Sequence, residues 1–132
     1  MLSPMGAYAL TTPAGDLLFV AGMTPRGDDG TLKPGVVGAD LDVDGAREAA
    51  ARAVSRALDA ASVHPRYTRV VSMTVFVRCT SEFVALSEVA DAASARVHDW
   101  APTEPLPARA AIGVQSLPGG APVEVSLVLG VS

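Results

Sequence analysis

Ala108-Arg109-Ala110-Ala111-Ile112-Gly113-Val114-Gln115-Ser116-Leu117, then Pro118-Gly119-Gly120, then Val123-Glu124-Val125-Ser126-Leu127-Val128-Leu129-Gly130-Val131: this stretch decides the reading of the fold. Both flanks alternate with a period of two, and the Pro-Gly-Gly between them suits a tight turn, so the segment reads as a β-hairpin. The turn centre is either Pro118-Gly119 or Gly119-Gly120. In both cases odd positions of the first strand share a face with even positions of the second. One face then carries Ala110, Ile112, Val114, Val123, Val125, Leu127 and Leu129, and is expected to receive helices. The other carries Arg109, Ala111, Gly113, Gln115, Glu124, Ser126 and Val128, with one cation and one anion.

That second face is too small and too sparsely charged for an ordinary solvent-facing sheet. Ala and Gly there suit close approach of another backbone, so the face is expected to pack against a neighbouring subunit. An Arg in such a place can clamp a carboxylate with two parallel hydrogen bonds. A partly desolvated Glu can act on water as a general acid or base. Within the hairpin the residue facing Arg109 is 128 or 130, which leaves Glu124 roughly 13–20 Å away at ~3.3 Å per residue. One small substrate cannot touch both within one chain, so joint action requires two subunits. The same two residues also read as plain interface salt-bridge partners.

Working outward, Arg69 to Arg78 is the densest strand, with Val70, Val71, Val75, Phe76 and Val77. Before it, Asp44 is positioned to cap a helix running to about Ser62, with the stripe Ala46, Ala49, Ala50, Ala53, Val54, Ala57, Leu58 and Ala61 at spacings of three and four. After it, Thr80 or Ser81 caps a second helix with Glu82 in its first turn and Phe83, Leu86, Val89, Ala90, Ala93 and Val97 inward. Pro102, Pro105 and Pro107 then exclude helix. Near the start, Tyr8 to Leu10 and Leu17 to Gly22 read as strands joined by the turn-rich Thr11 to Asp16, and Pro25 to Gly38 reads as a loop. The order is β-β-α-β-α-β-β: an α+β chain with two helices on one face of a mixed sheet.

The 132 residues suit a single domain spanning 1–132, since domains commonly run ~100–150 residues. With 49% hydrophobic residues the chain is not of the disordered class. Its longest apolar run, Leu17 to Met23, is far too short for a spanning helix. Most of the apolar fraction comes from 23 Ala and 18 Val, which make a thin core and point to burial between subunits. The net charge of −4 and the absence of a basic run argue against nucleic acid as a partner. Lone Cys79 forms no internal disulfide, no Cys/His cluster is spaced for metal, and the start lacks a signal-peptide pattern, so the expected setting is cytoplasmic.

Leu17-Leu18-Phe19-Val20-Ala21-Gly22-Met23-Thr24-Pro25, Pro107-Ala108-Arg109-Ala110-Ala111-Ile112-Gly113-Val114, Leu117-Pro118 and Val123-Glu124-Val125, with Gly6-Ala7-Tyr8 ahead of them, resemble the reactive intermediate deaminase (Rid, YjgF-like) family. The resemblance runs from Tyr8 to Val131. It implies a chorismate-mutase-like fold, a homotrimer and ligand clefts between subunits. It also implies hydrolysis of a small enamine or imine carboxylate to a 2-oxo acid and ammonia, with no cofactor or metal. Arg109 then matches the carboxylate-binding Arg, Glu124 the residue that handles water and proton, and Tyr8 the Tyr lining the cleft. The chain departs from the family where Ala21 replaces Ser, Met23 replaces Gln, Ser87 replaces Asn and Ala111 replaces Cys. The rival readings are a non-catalytic small-carboxylate binding module and a pathway-specific tailoring enzyme acting on a larger imine or carbonyl intermediate. The endoribonuclease label sometimes attached to the family sits poorly with an acidic chain.

Other reactive residues read as structural. Cys79 ends a strand with no neighbouring His or Lys in sequence. His64 precedes Pro65 in a loop and is expected to be exposed, while His98 sits at the end of the second helix beside Trp100. Asp28-Asp29-Gly30 lacks the remaining ligands of a calcium loop and reads as a turn.

Overall fold

The computed structural model describes residues 2–132. Five strands and two helices follow one another as β1 (Thr11–Ala14), β2 (Leu17–Met23), α1 (Val43–Ala61), β3 (Arg69–Arg78), α2 (Leu86–Trp100), β4 (Ala108–Val114) and β5 (Val123–Gly130). The α+β order read from the sequence is the order found. The sheet runs β1-β2-β5-β3-β4 and is mixed: β3 and β4 are parallel, and the other neighbours are antiparallel. Parallel neighbours need a long crossover, and α2 supplies it between β3 and β4. α1 carries the chain from β2 over β5 to β3. Both helices pack on one face of the sheet and against each other.

The expected β4–β5 hairpin does not form. β3 lies between them, with Met73 opposite Arg109 on one side and opposite Leu127 on the other. The reason lies in the strands themselves. β3 and β5 bury every second residue, including Val75, Val77, Val123, Val125 and Leu129 at 0% exposure, each side chain worth ~1.5–3 kcal/mol when fully buried. They take the centre. β4 is built of Ala and Gly, weak strand formers, and takes the edge. The Pro118–Gly120 segment is one 3-10 turn in a wider connection, with Gly119 and Gly120 at φ 67° and 73°. That left-handed backbone suits glycine. The turn is pinned from outside by Arg78 Nη1 and Gly35 N, which donate to Gly120 O at 3.0 Å each.

Smaller corrections follow local chemistry. The first strand is Thr11–Ala14, not Tyr8–Leu10. Gly15 at φ 60° permits a two-residue turn from Ala14 to Leu17, which moves the pairing into the segment expected to be loop. Pro13 is tolerated there because β1 is an edge. α1 is capped by Asp42, whose Oδ1 accepts from Gly45 N at 2.8 Å, and Asp44 lies inside the first turn. α2 begins at Leu86 with no side-chain cap. Thr80 is held back by Val37 and Glu82 lies before the helix, because Cys79 bridges to Val37 and Thr80 N donates to Val37 O. His64 is partly buried, not exposed, and hydrogen-bonds Thr11 Oγ1 at 3.1 Å.

Of the expected α1 stripe, Ala46, Ala50, Ala53, Val54, Ala57, Leu58 and Ala61 are buried, and Ala49 lies partly buried at its margin. Small side chains on this face let the helix lie close to β2 and β5. Asp42→Ala is expected to cost ~1 kcal/mol of stability by loss of the cap. Asp44→Ala is expected to cost clearly less in the same urea melt, and equal losses would contradict the cap.

Candidate functional site

β5 places Glu124 on the sheet face opposite the helices. Its partner Phe76 and the neighbours Thr74 and Ser126 share that face, while Val123 and Val125 point into the core. The face mixes polar with large apolar residues and is uncovered in the isolated chain: Phe19 is 46% exposed and Ile112 41%. Glu124 is half-buried, and none of the ion pairs among the described residues involves it. Burial raises its pKa above the ordinary carboxylate value.

A bulge in β2 makes room for this carboxyl. Between Val20 and Met23 the strand gains one residue against β5, so Ala21 and Gly22 together oppose Ser126. A Cβ on Gly22 would stand 2.8 Å from Glu124 Cδ and 2.9 Å from Oε2. A side chain at this position would push the Glu124 carboxyl aside, so the glycine leaves that carboxyl its present place. Ala21 N donates to Leu10 O at 2.8 Å, tying the bulge to the arm that carries Tyr8. Tyr8 is exposed, its hydroxyl accepts from Met5 N at 3.1 Å, and its ring lies against Gly6. Met23 points into the core opposite Val125, so it does not line this face.

Arg109 lies on the other side of the sheet. The parallel register sets it beside buried Met73, under α2. The odd β4 positions therefore share a face with odd β5 positions, and Ala111 packs against the core. Ala110, Ile112 and Val114 turn to the open face with Glu124, reversing the assignment that a direct hairpin implied. Arg109 Nη1 donates to Asp91 Oδ1 at 2.7 Å and Ser94 Oγ at 3.0 Å, and Nη2 donates to Ser87 Oγ at 2.8 Å. Asp91 and Ser94 were not among the expected site residues. Their signal was the spacing 87, 91, 94, which lines one face of a helix.

Arg109 and Ser87 are thus together, Glu124 and the Ala21-Gly22 bulge are together, and the two groups are apart. Two strand spacings of ~4.8 Å and three residues of ~3.3 Å separate the Arg109 and Glu124 Cα atoms by roughly 14 Å, on opposite faces. The sequence expectation of a wide separation holds, by a different geometry. Two surface concavities, of about 940 and 730 Å³, lie elsewhere. One is lined by the Pro25–Leu41 loop and the start of α1, the other by Leu2, Leu10 and Arg56, and neither includes Arg109 or Glu124. His98 and Trp100 are exposed at the end of α2, and Cys79 is partly buried beside Gly113.

Comparison with known proteins agrees with the fold. The family model for endoribonuclease L-PSP matches residues 1–130. The chain belongs to this family. It is the Rid, YjgF-like family to which the sequence motifs pointed. The chain is 35% identical to protein TCP17 of Trypanosoma cruzi over 96% of its own length and 82% of that protein's. A crystal structure from Agrobacterium tumefaciens, of unknown function, superposes with a TM-score of 0.86 at 31% identity, covering 95% of this chain and 82% of that one. RidA from the Antarctic bacterium Psychrobacter shares the fold with a TM-score of 0.66 at 21% identity, covering 98% of this chain and 92% of that one.

The raised Glu124 pKa has a measurable sign. The folded state holds this proton more tightly than the unfolded chain, so stability falls as pH rises from the ordinary value of 4.5 through the folded pKa. Glu124→Gln removes that loss. Its melting temperature relative to the native chain is expected to be higher at pH 7 than at pH 4, and an unchanged difference would show that the carboxylate pays no burial penalty.

Proposed function

We propose that this Rid-family chain is a homotrimeric hydrolase that converts a small enamine or imine carboxylate to a 2-oxo acid and ammonia at sites between subunits. The observation that carries the proposal is Glu124 itself. A carboxyl group is held half-buried on an uncovered sheet face beside Phe76, against a glycine that leaves it room, with its pKa raised by burial. A raised pKa brings a carboxylate nearer to the range useful for proton transfer at neutral pH. Phe19, Ile112 and their neighbours offer the apolar surface that a second chain would cover.

The chemistry is short. The enamine tautomerises to the imine, whose carbon is already electrophilic. Arg109, with N–H groups to spare beyond its contacts with α2, holds the carboxylate of the substrate. Glu124 of a neighbouring subunit takes a proton from water as its oxygen bonds to the imine carbon, and returns that proton to nitrogen. Glu124 then carries the hydroxyl proton of the resulting carbinolamine to the nitrogen as C=O forms and the C–N bond breaks, releasing ammonia and the 2-oxo acid. Neither a metal nor an organic cofactor enters. The setting proposed is cytoplasmic, and no helix among the described residues is long and apolar enough to cross a membrane.

The test is to generate 2-aminoacrylate in situ and follow 2-oxo acid release. Glu124→Ala is expected to lower kcat by ~100-fold or more, the scale of a lost general base. Arg109→Ala is expected to raise KM by ~10-fold or more, the scale of a lost charged contact. Sedimentation should give three times the chain mass. A native chain that binds 2-oxo acids without turnover would point instead to the binding module.

A further inference from the structure

Arg109 is not a bare guanidinium waiting for an anion. Of its five N–H groups, three are taken by α2: two on Nη1, by Asp91 and Ser94, and one on Nη2, by Ser87. Nε–H and one N–H of Nη2 remain. The two serines accept hydrogen bonds without changing the local charge. Asp91 differs: it is a full carboxylate, 2.7 Å from Nη1, and it cancels the charge that would draw another carboxylate in. The Arg109 side chain is only 21% exposed, so the pair is less screened than one on open surface. Asp91 is itself 58% exposed, so it is reachable and not buried as a core support. No step of the hydrolysis uses it.

We propose that Asp91 is a specificity-determining residue, an internal carboxylate that competes with the ligand's carboxylate for Arg109. It rests on the reading of Arg109 as the carboxylate clamp. Asp91 holds down the affinity of the site for small acids, including the 2-oxo acid it would release. It leaves neutral carbonyl ligands unaffected, because these need only the free N–H groups. Since Asp91 acts on binding alone, its removal is expected to change KM and leave kcat nearly unmoved.

The test is titration of the native chain, Asp91→Asn, Asp91→Ala, Arg109→Ala and the control Asp99→Asn with pyruvate and with pyruvamide, its neutral amide. Asp99 lies on the same helix, is exposed, and shows no hydrogen bond or ion pair to Arg109. Both Asp91 variants should bind pyruvate more tightly by roughly three- to tenfold, a range that spans exposed to partly buried ion pairs. Pyruvamide binding and the Asp99→Asn control should not change. Equal or weaker pyruvate binding by the Asp91 variants, while Arg109→Ala loses it, would overturn the competitor and leave the clamp standing. So would misfolding of both Asp91 variants, which would mark the residue as a structural support. Pyruvate binding unaffected by Arg109→Ala, or absent from the native chain and the Asp91 variants alike, would instead refute the clamp, and the competitor with it.

Discussion

The seating of β3 between β5 and β4 is the constraint on which the rest of the molecule depends. It gives β3 and β5 two neighbours each and leaves the Ala- and Gly-built β4 at the edge. It also fixes which way each side chain of β4 points. With β4 parallel to β3, Arg109 is carried under α2 and Ile112 outward. Had β4 and β5 paired directly, Arg109 and Glu124 would share one face. Instead the sheet itself stands between them, and within one chain they have no common volume in which to meet a small ligand.

Two local devices prepare each half of the candidate site. On the open face, the β2 bulge and Gly22 accept the Glu124 carboxyl into a half-buried position, where burial shifts its proton affinity. Under α2, a row of accepting side chains one helical face wide fixes the Arg109 guanidinium. The first device makes a carboxylate more basic. The second trades anion affinity for a fixed geometry. The Ala-rich composition serves the fold around them, because small side chains on α1 permit close packing of the helix on the sheet.

Much of this was legible from local pattern. The three-and-four spacing of the α1 alanines, the β-branched density of β3 and the element order all emerge from the sequence, because each depends on neighbours a few residues away. The pairing of β4 was not legible. A Pro-Gly-Gly between two alternating runs is a hairpin signal, and nothing within those residues reveals that a strand forty positions earlier is inserted between them. Parity was then lost with pairing, and the face of Arg109 was assigned wrongly while that of Glu124, expected opposite the helices, was assigned correctly. The early cap of α1 and the late start of α2 failed for a related reason, since Asp42 and Asp44 are equivalent as letters and Thr80 is diverted by a contact with Val37. The role of Asp91 was visible only as a helical spacing with no partner to give it meaning.

If Arg109 and Glu124 act on one ligand, they come from different chains, and subunit mixing tests this directly. Arg109→Ala and Glu124→Ala chains, each slow alone at substrate well below the native KM, would be mixed, dissociated and reassembled, and 2-oxo acid release from 2-aminoacrylate measured at that concentration. A site shared across a closed ring retains both native residues at some interfaces, so a one-to-one mixture should regain about a quarter of native activity. Reassembled mixtures that stay as slow as their parents would contradict a site built by two subunits.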